Sequence, residues 1–232
     1  MPSTTETRQF AKGLVLGVFA MTLVGGSVAV SAVLGDAPLL TAQAIRYAVA
    51  TALLALIARI ARVRIGRPRG TEWLWLSGIA ATGLVLFNVA VIRGVAHAEP
   101  ATIAVAVACV PVVIGLVGPL LDRQRPARRV VLAAVVVTIG SVIVEGTGRT
   151  DAAGVAWAVV ALLCEAAFTL LAVPVLRRRG AWGVSFHAVW MGTVMLLVLA
   201  VLVEGPRSGL LLRVNDWAAI GYLAVIVTAV AF

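Results

Sequence analysis

Apolar residues arrive along this chain in long blocks parted by short polar ones. Eight blocks stand out, at 13–34, 38–60, 72–92, 98–121, 128–144, 152–176, 183–203 and 217–232. Most hold 17–25 residues, the length a helix needs to cross about 30 Å of hydrocarbon. The blocks are apolar all round, whereas the strands of a membrane barrel alternate polar and apolar positions, so helices are the reading. The pattern predicts an all-α polytopic membrane protein with about eight transmembrane helices.

The loops carry the charge. Arg8 and Lys12, Arg59 to Arg69, Arg123 to Arg129, and Arg177 to Arg179 bring fourteen of the nineteen basic residues to one side if every block crosses. Six of the ten acids (Asp36, Glu99, Glu145, Asp151, Glu204 and Asp216) fall on the other. The positive-inside rule then puts residues 1–12 and the Arg-rich loops in the cytoplasm of a cell whose plasma membrane holds the chain. This distribution also explains the net charge of +9 without nucleic acid as a partner. The first block is too long for a signal-peptide core and is followed at once by further spans, so it reads as a retained helix.

Composition supports the same class. The chain is 62% hydrophobic with a mean hydropathy of +1.07, more apolar surface than a soluble domain of this size can cover. Cys109 and Cys164 both lie in apolar runs and imply no disulfide framework. No His/Cys/carboxylate set has metal-ligand spacing, and no phosphate loop or nucleophile elbow is present. An enzyme is therefore not expected, nor a metal or other cofactor.

The spacing recurs. Residues 41–56, "TAQAIRYAVATALLAL", align with 184–199, "VSFHAVWMGTVMLLVL", and Trp73 with Trp217. Five spans at 13–144 are expected to form one repeat and 152–232 the start of another. An odd repeat inverts the second copy across the membrane, as in many transporters. About three helices of the second copy are present, which leads to the expectation that the chain is a fragment or an incomplete frame.

At residues 83–126, "GLVLFNVAVIRGVAHAEPATIAVAVACVPVVIGLVGPLLDRQRP", an outer turn of small residues leads into an apolar helix with a central Pro111 and a charged end. This stretch resembles the third and fourth helices of EamA-type proteins in the drug/metabolite transporter superfamily. "IRY" at 45–47 resembles the Arg-aromatic pair of their second helix. "GYLAVIVTAVAF" at 221–232 is similar to the start of their eighth, through Thr228 and Phe232. Gln124-Arg125 departs from the family's usual Glu-Arg, with Asp122 two positions earlier. The resemblance implies two inverted five-helix repeats and a secondary transporter of small organic metabolites or drugs, often directed outward.

Within the spans, two charges stand out. Glu165 lies 13 residues from Ala152 and 11 from Leu176, about 17–20 Å from either end of its helix. Its neighbours at helical spacing include Ala161, Leu162, Phe168 and Thr169, a face suited to lining a cavity. Arg46 lies eight residues past Pro38, with Gln43 and Tyr47 beside it. Two opposite charges are costly apart in a bilayer and less so together, so Arg46 and Glu165 are expected to pair in a central cavity. The bland alternatives are an outward-reaching Arg46 and a neutral Glu165 bonded to its own helix. Asn88, His187 and Trp190 complete the candidate solute contacts, each with a structural alternative as helix glue or interfacial residue. His97 and Glu99 fall in the outer turn and are expected to be solvated. Pro111 and Pro174 each free the carbonyl four residues back.

The expected function is export of a small solute by alternating access, with a proton as coupling ion at Glu165. The alternative is a non-transporting membrane scaffold or an inactive truncated product. Expected partners are the solute and the lipid bilayer, and the oligomeric state stays open between a monomer and a homodimer.

Overall fold

The computed structural model describes residues 37–63, 65–121, 128–145 and 150–229, with Val15, Val18, Thr22, Val30 and Leu34 ahead of them. The described residues are helical in the main. In order they form α1 (Leu39–Ile60), α2 (Glu72–Val95), α3 (Pro100–Ala108), α4 (Val110–Leu121) and α5 (Arg128–Glu145). A 52-residue run, Ala152–Val203, follows. A 3₁₀ turn (Ser208–Leu211) then leads to α8 (Val214–Tyr222), which tightens no further but widens into a π-helix at Leu223–Ala229. The long run reverses at Gly180, whose φ of 67° and ψ of 172° are not helical; α6 is residues 152–179 and α7 residues 181–203.

Four helices among the described residues are long and apolar enough to cross a membrane, the 52-residue run among them. That run covers two expected spans, so the short loop expected between them is corrected to a single glycine. Glycine tolerates the left-handed φ that lets the chain turn back there. The fourth expected span breaks at Cys109, just before Pro111, which cannot donate to Val107. Pro174 sits inside α6 with no such break. Residues 128–145 form a helix of 18 residues. The last span starts at Val214, earlier than Trp217. Most of the first expected span, the 122–127 motif and Phe232 lie outside the described residues.

Contacts at the two ends fix the helix directions. At the basic end, the Arg179 guanidinium pairs with Glu72, its Nε 2.9 Å from Oε2, joining α6 to the start of α2. At the opposite end, Gly154 packs against Ala98, and the Asp151 Oδ2 meets His97 Nδ1 at 3.1 Å. Between them Gly83 faces Phe168, so α2 and α6 run antiparallel. α1 and α7 do likewise: Thr51 meets Thr193 at mid-depth, and Glu204 meets Thr41 at the end opposite Arg179. Glu204 accepts from the amides of Leu40 (2.7 Å) and Thr41 (2.9 Å). A carboxylate 164 residues away in sequence thus satisfies the orphan donors at the positive end of α1.

The helices form because their apolar stripes face one another. α1 buries Ala42, Gln43, Arg46, Tyr47, Ala50, Leu54 and Ala58 at three- and four-residue steps, and leaves Val49, Leu56 and Ile60 exposed. Alanines on the buried stripe allow close approach of neighbours. Exposed leucines, isoleucines and valines also cover α5 and the outer faces of α6 and α7. Such a surface is stable in lipid and not in water.

The start of α6 offers a pH-dependent test. Asp151 caps it, accepting from the Gly154 amide at 2.7 Å. That bond, and then the His97 contact, hold the Asp151 carboxyl below its ordinary range. A lowered folded-state value stabilises the fold above the ordinary carboxylate range, and the contribution is lost as the pH falls through the lowered value. Asp151→Ala is therefore expected to lower the melting temperature in detergent by a few degrees at neutral pH. The gap to the parent should narrow progressively below about pH 4. A gap that is constant across the titration would count against the cap.

Candidate functional site

The sequence-predicted residues fall into three places. Arg46 and Tyr47 on α1 meet Asn88 on α2. Glu165, Phe168 and Thr169 lie together on α6. His187 and Trp190 lie near the basic end of α7.

The first group is a buried polar cluster. Arg46 is 6% exposed, so it does not reach outward to water. Its Nη1 donates to Gln43 Oε1 at 3.1 Å and to Asn88 Oδ1 at 3.4 Å, and its guanidinium lies 5.0 Å from the centre of the Tyr47 ring. Such stacking offsets part of the desolvation of a buried cation. Asn88 uses both amide hydrogens, one to the Tyr47 hydroxyl and one to the Leu84 carbonyl, each at 2.7 Å. Leu84 belongs to the π-helical stretch Ala80–Leu86 within α2. A wide turn of this kind loosens the carbonyl ladder and often marks a working part of a helix.

Gln43 is the member that the sequence placed beside Arg46 without assigning it a role. Its oxygen must face Arg46, because the guanidinium only donates. Its Nε2 then has no partner, the one such buried side-chain nitrogen or oxygen among the described residues. The signal was in the sequence: a second polar residue one turn from a buried arginine, on the same face.

On α6, Glu165 is half-buried, 13 residues from Ala152 and 14 from Arg179. Among the described residues no hydrogen bond or ion pair reaches its carboxyl, and none joins it to Arg46. The expected pairing is corrected: the amide oxygens of Gln43 and Asn88 and the Tyr47 ring lie against Arg46 instead. Thr169 spends its hydroxyl on the Glu165 carbonyl at 3.0 Å. The Phe168 ring lies over Gly83 and packs with the cluster that holds Tyr47, Leu84 and Val189.

His187 is buried. Its Nε2 lies 3.0 Å from the Gly66 carbonyl, and Nδ1 lies 2.9 Å from the Trp190 indole nitrogen. Indole only donates and a carbonyl only accepts, so the proton sits on Nε2. Trp190 in turn meets Trp73 edge to face, 6.1 Å between ring centres. Both His187 nitrogens are engaged: Nε2 joins α7 to the 65–69 loop, and Nδ1 accepts from Trp190 one turn along the same helix. His97 is exposed at Asp151, as a solvated turn residue should be, and Glu99 is exposed. No group of three or more His, Cys, Asp or Glu residues is placed to hold a metal among the described residues.

Comparison with known proteins bears on what this arrangement serves. The chain is 23% identical to the uncharacterized transporter YetK of Bacillus subtilis (strain 168) over 223 residues, covering 92% of this chain and 67% of that protein. It is 27% identical over 190 residues to the probable terminal-alkyne amino-acid exporter of Streptantibioticus cattleyicolor, covering 81% of this chain and 62% of that protein. No solved structure matches. The description of the EamA-like transporter family matches residues 11–145, more than half of the 232. That range includes the 83–126 stretch that carries the resemblance. The protein is an integral membrane protein with several apolar helices, and the chain belongs to the EamA-like transporter family, a family of transporters and not of enzymes.

Proposed function

We propose that this chain works in export of a small amphipathic solute with a carboxylate, of amino-acid type, by alternating access between repeats 13–144 and 152–232, its N-terminus in the cytoplasm. The observation that carries the reading is the pair of buried donors, Arg46 and the unpartnered Gln43 Nε2. A guanidinium and an amide N–H side by side suit a carboxylate, which accepts several hydrogen bonds at once. Tyr47 and Asn88 orient the guanidinium, and Phe168 offers an apolar surface in the same packed cluster. A probable terminal-alkyne amino-acid exporter among the relatives supports the solute class.

Glu165 supplies the coupling. A carboxyl at mid-depth with no bonded partner among the described residues is free to exchange a proton as the solute moves. Thr169, bonded to its backbone, keeps this turn of α6 in place. His187 and Trp190 close the basic end.

The test uses proteoliposomes holding the protein and preloaded with labelled amino acids bearing apolar side chains. An imposed pH gradient should accelerate their efflux, and Glu165→Gln should remove that acceleration while leaving solute exchange at equilibrium. Efflux that ignores the gradient in the parent overturns proton coupling. Absence of efflux for every carboxylate-bearing solute, beside efflux of cationic drugs, overturns the solute class.

A further inference from the structure

A concavity lies at the basic end, away from the polar cluster and independent of what is transported. Gly66, Arg67, Arg69, Glu72, Arg178 and Arg179 line about 380 Å³ of space. Four guanidinium groups share it with one carboxylate, and that carboxylate is engaged: Glu72 pairs with Arg179 and accepts the Arg69 amide at 2.8 Å. Arg179 is thereby the fixed wall of the cavity. Arg67, Arg69 and Arg178 line it and are exposed. Gly66 keeps the floor open, since a Cβ there would come within 2.9 Å of Arg179 Nη1.

The surroundings say what kind of anion fits. Trp73, Trp75 and Trp182 flank the cavity in sequence, each more than a third exposed, and Leu74 and Leu176 are exposed beside them. Tryptophan gathers at the level of lipid headgroups, with apolar residues below it against acyl chains. A basic pocket between helices at that level matches a phosphate tethered to hydrocarbon better than one free in water. We propose that this cavity binds the phosphodiester headgroup of an anionic phospholipid, clamped by Arg67, Arg69 and Arg178 against the Arg179–Glu72 pair, with the acyl chains along the face of Leu74 and Leu176.

Basic loops attract anionic membranes without any pocket, so the test must separate a site from a charged surface. The full chain is reconstituted in phosphatidylcholine vesicles containing a minor fraction of brominated phosphatidylglycerol or, in a parallel set, brominated phosphatidylcholine. Tryptophan quenching is read, with Trp73, Trp75 and Trp182 as reporters. Quenching by brominated phosphatidylglycerol should saturate at lower mole fraction, and the triple variant Arg67→Gln/Arg69→Gln/Arg178→Gln should lose about tenfold or more of that preference. The charge-matched variant Arg59→Gln/Arg62→Gln/Arg128→Gln, at exposed positions outside the cavity, should keep it. Equal loss in both variants, or equal quenching by both lipids, overturns the proposal. Inorganic phosphate at low millimolar concentration should not displace the lipid; displacement would assign the cavity to a soluble phosphate and overturn the lipid source.

Discussion

Gly83→Val is expected to give a protein that reaches the membrane in low yield and melts well below the parent. Gly83 lies in the π-helical stretch of α2, and a Cβ there would stand 2.2 Å from Phe168 Cδ2 and 2.7 Å from Cγ. Those atoms belong to the base of a ring packed between two core clusters, not to a loose end that can swing aside. Overpacking of this sort costs about 1–3 kcal/mol and more where the ring cannot move. The displaced turn also carries Leu84, whose carbonyl accepts from Asn88, so the damage reaches the polar cluster. Phe168→Ala alone should cost about 3–5 kcal/mol through the cavity it leaves. Combined with Gly83→Val, it should restore much of what the valine lost, because the new side chain occupies the space of the ring. Melting curves of the four chains in detergent check this. Strictly additive losses would mean that the two residues do not share that space.

Arg46→Ala should weaken export of carboxylate-bearing solutes, with a tenfold to hundredfold rise in the concentration needed for half-maximal efflux. A charge-assisted hydrogen bond contributes about 1.5–3 kcal/mol, and tenfold corresponds to 1.4 kcal/mol. Arg46→Lys should fall between the two, since an ammonium keeps the charge but loses the planar face that lies over the Tyr47 ring. The alanine variant leaves Gln43 Oε1 and Asn88 Oδ1 without this donor in a buried place, so some stability is lost as well. Initial efflux rates over a range of internal solute, normalised to protein in the bilayer, separate the two effects. Because Arg46 and Glu165 are not paired, adding Glu165→Gln should not rescue Arg46→Ala. Rescue would bring back the ion pair that charge cost alone suggested.

The helices were legible because lipid imposes length and composition directly: α1, α2 and the 152–203 run follow the apolar blocks to within a few residues. Gly180 was missed as a turn because three arginines precede it, and a charged run reads as a loop. The π-helical stretch in α2 has no compositional mark. At the site, Arg46, Tyr47 and Asn88 were legible as polar residues in apolar runs. Their assembly was not, since it depends on which faces of α1 and α2 meet. The pairing of Arg46 with Glu165 failed for the same reason: sequence gives the depth of a charge, not its azimuth. The depth of His187 was legible, but its contact with the Gly66 carbonyl, from a loop 121 residues away, was not.

The reversal at Gly180 sets how α6 and α7 can move. One residue joins them, with no Cβ and open space within 4 Å of where one would stand. A link that short has no slack, so neither helix can slide along its axis without dragging the other. What remains is a swing about the backbone torsions of a single glycine, like two rods on one pin. Arg179, next to the pin, is anchored to Glu72. The pivot is therefore tied to α2, and a swing about it must break the contacts at the far tips, Asp151 with His97 on one rod and Glu204 with the start of α1 on the other.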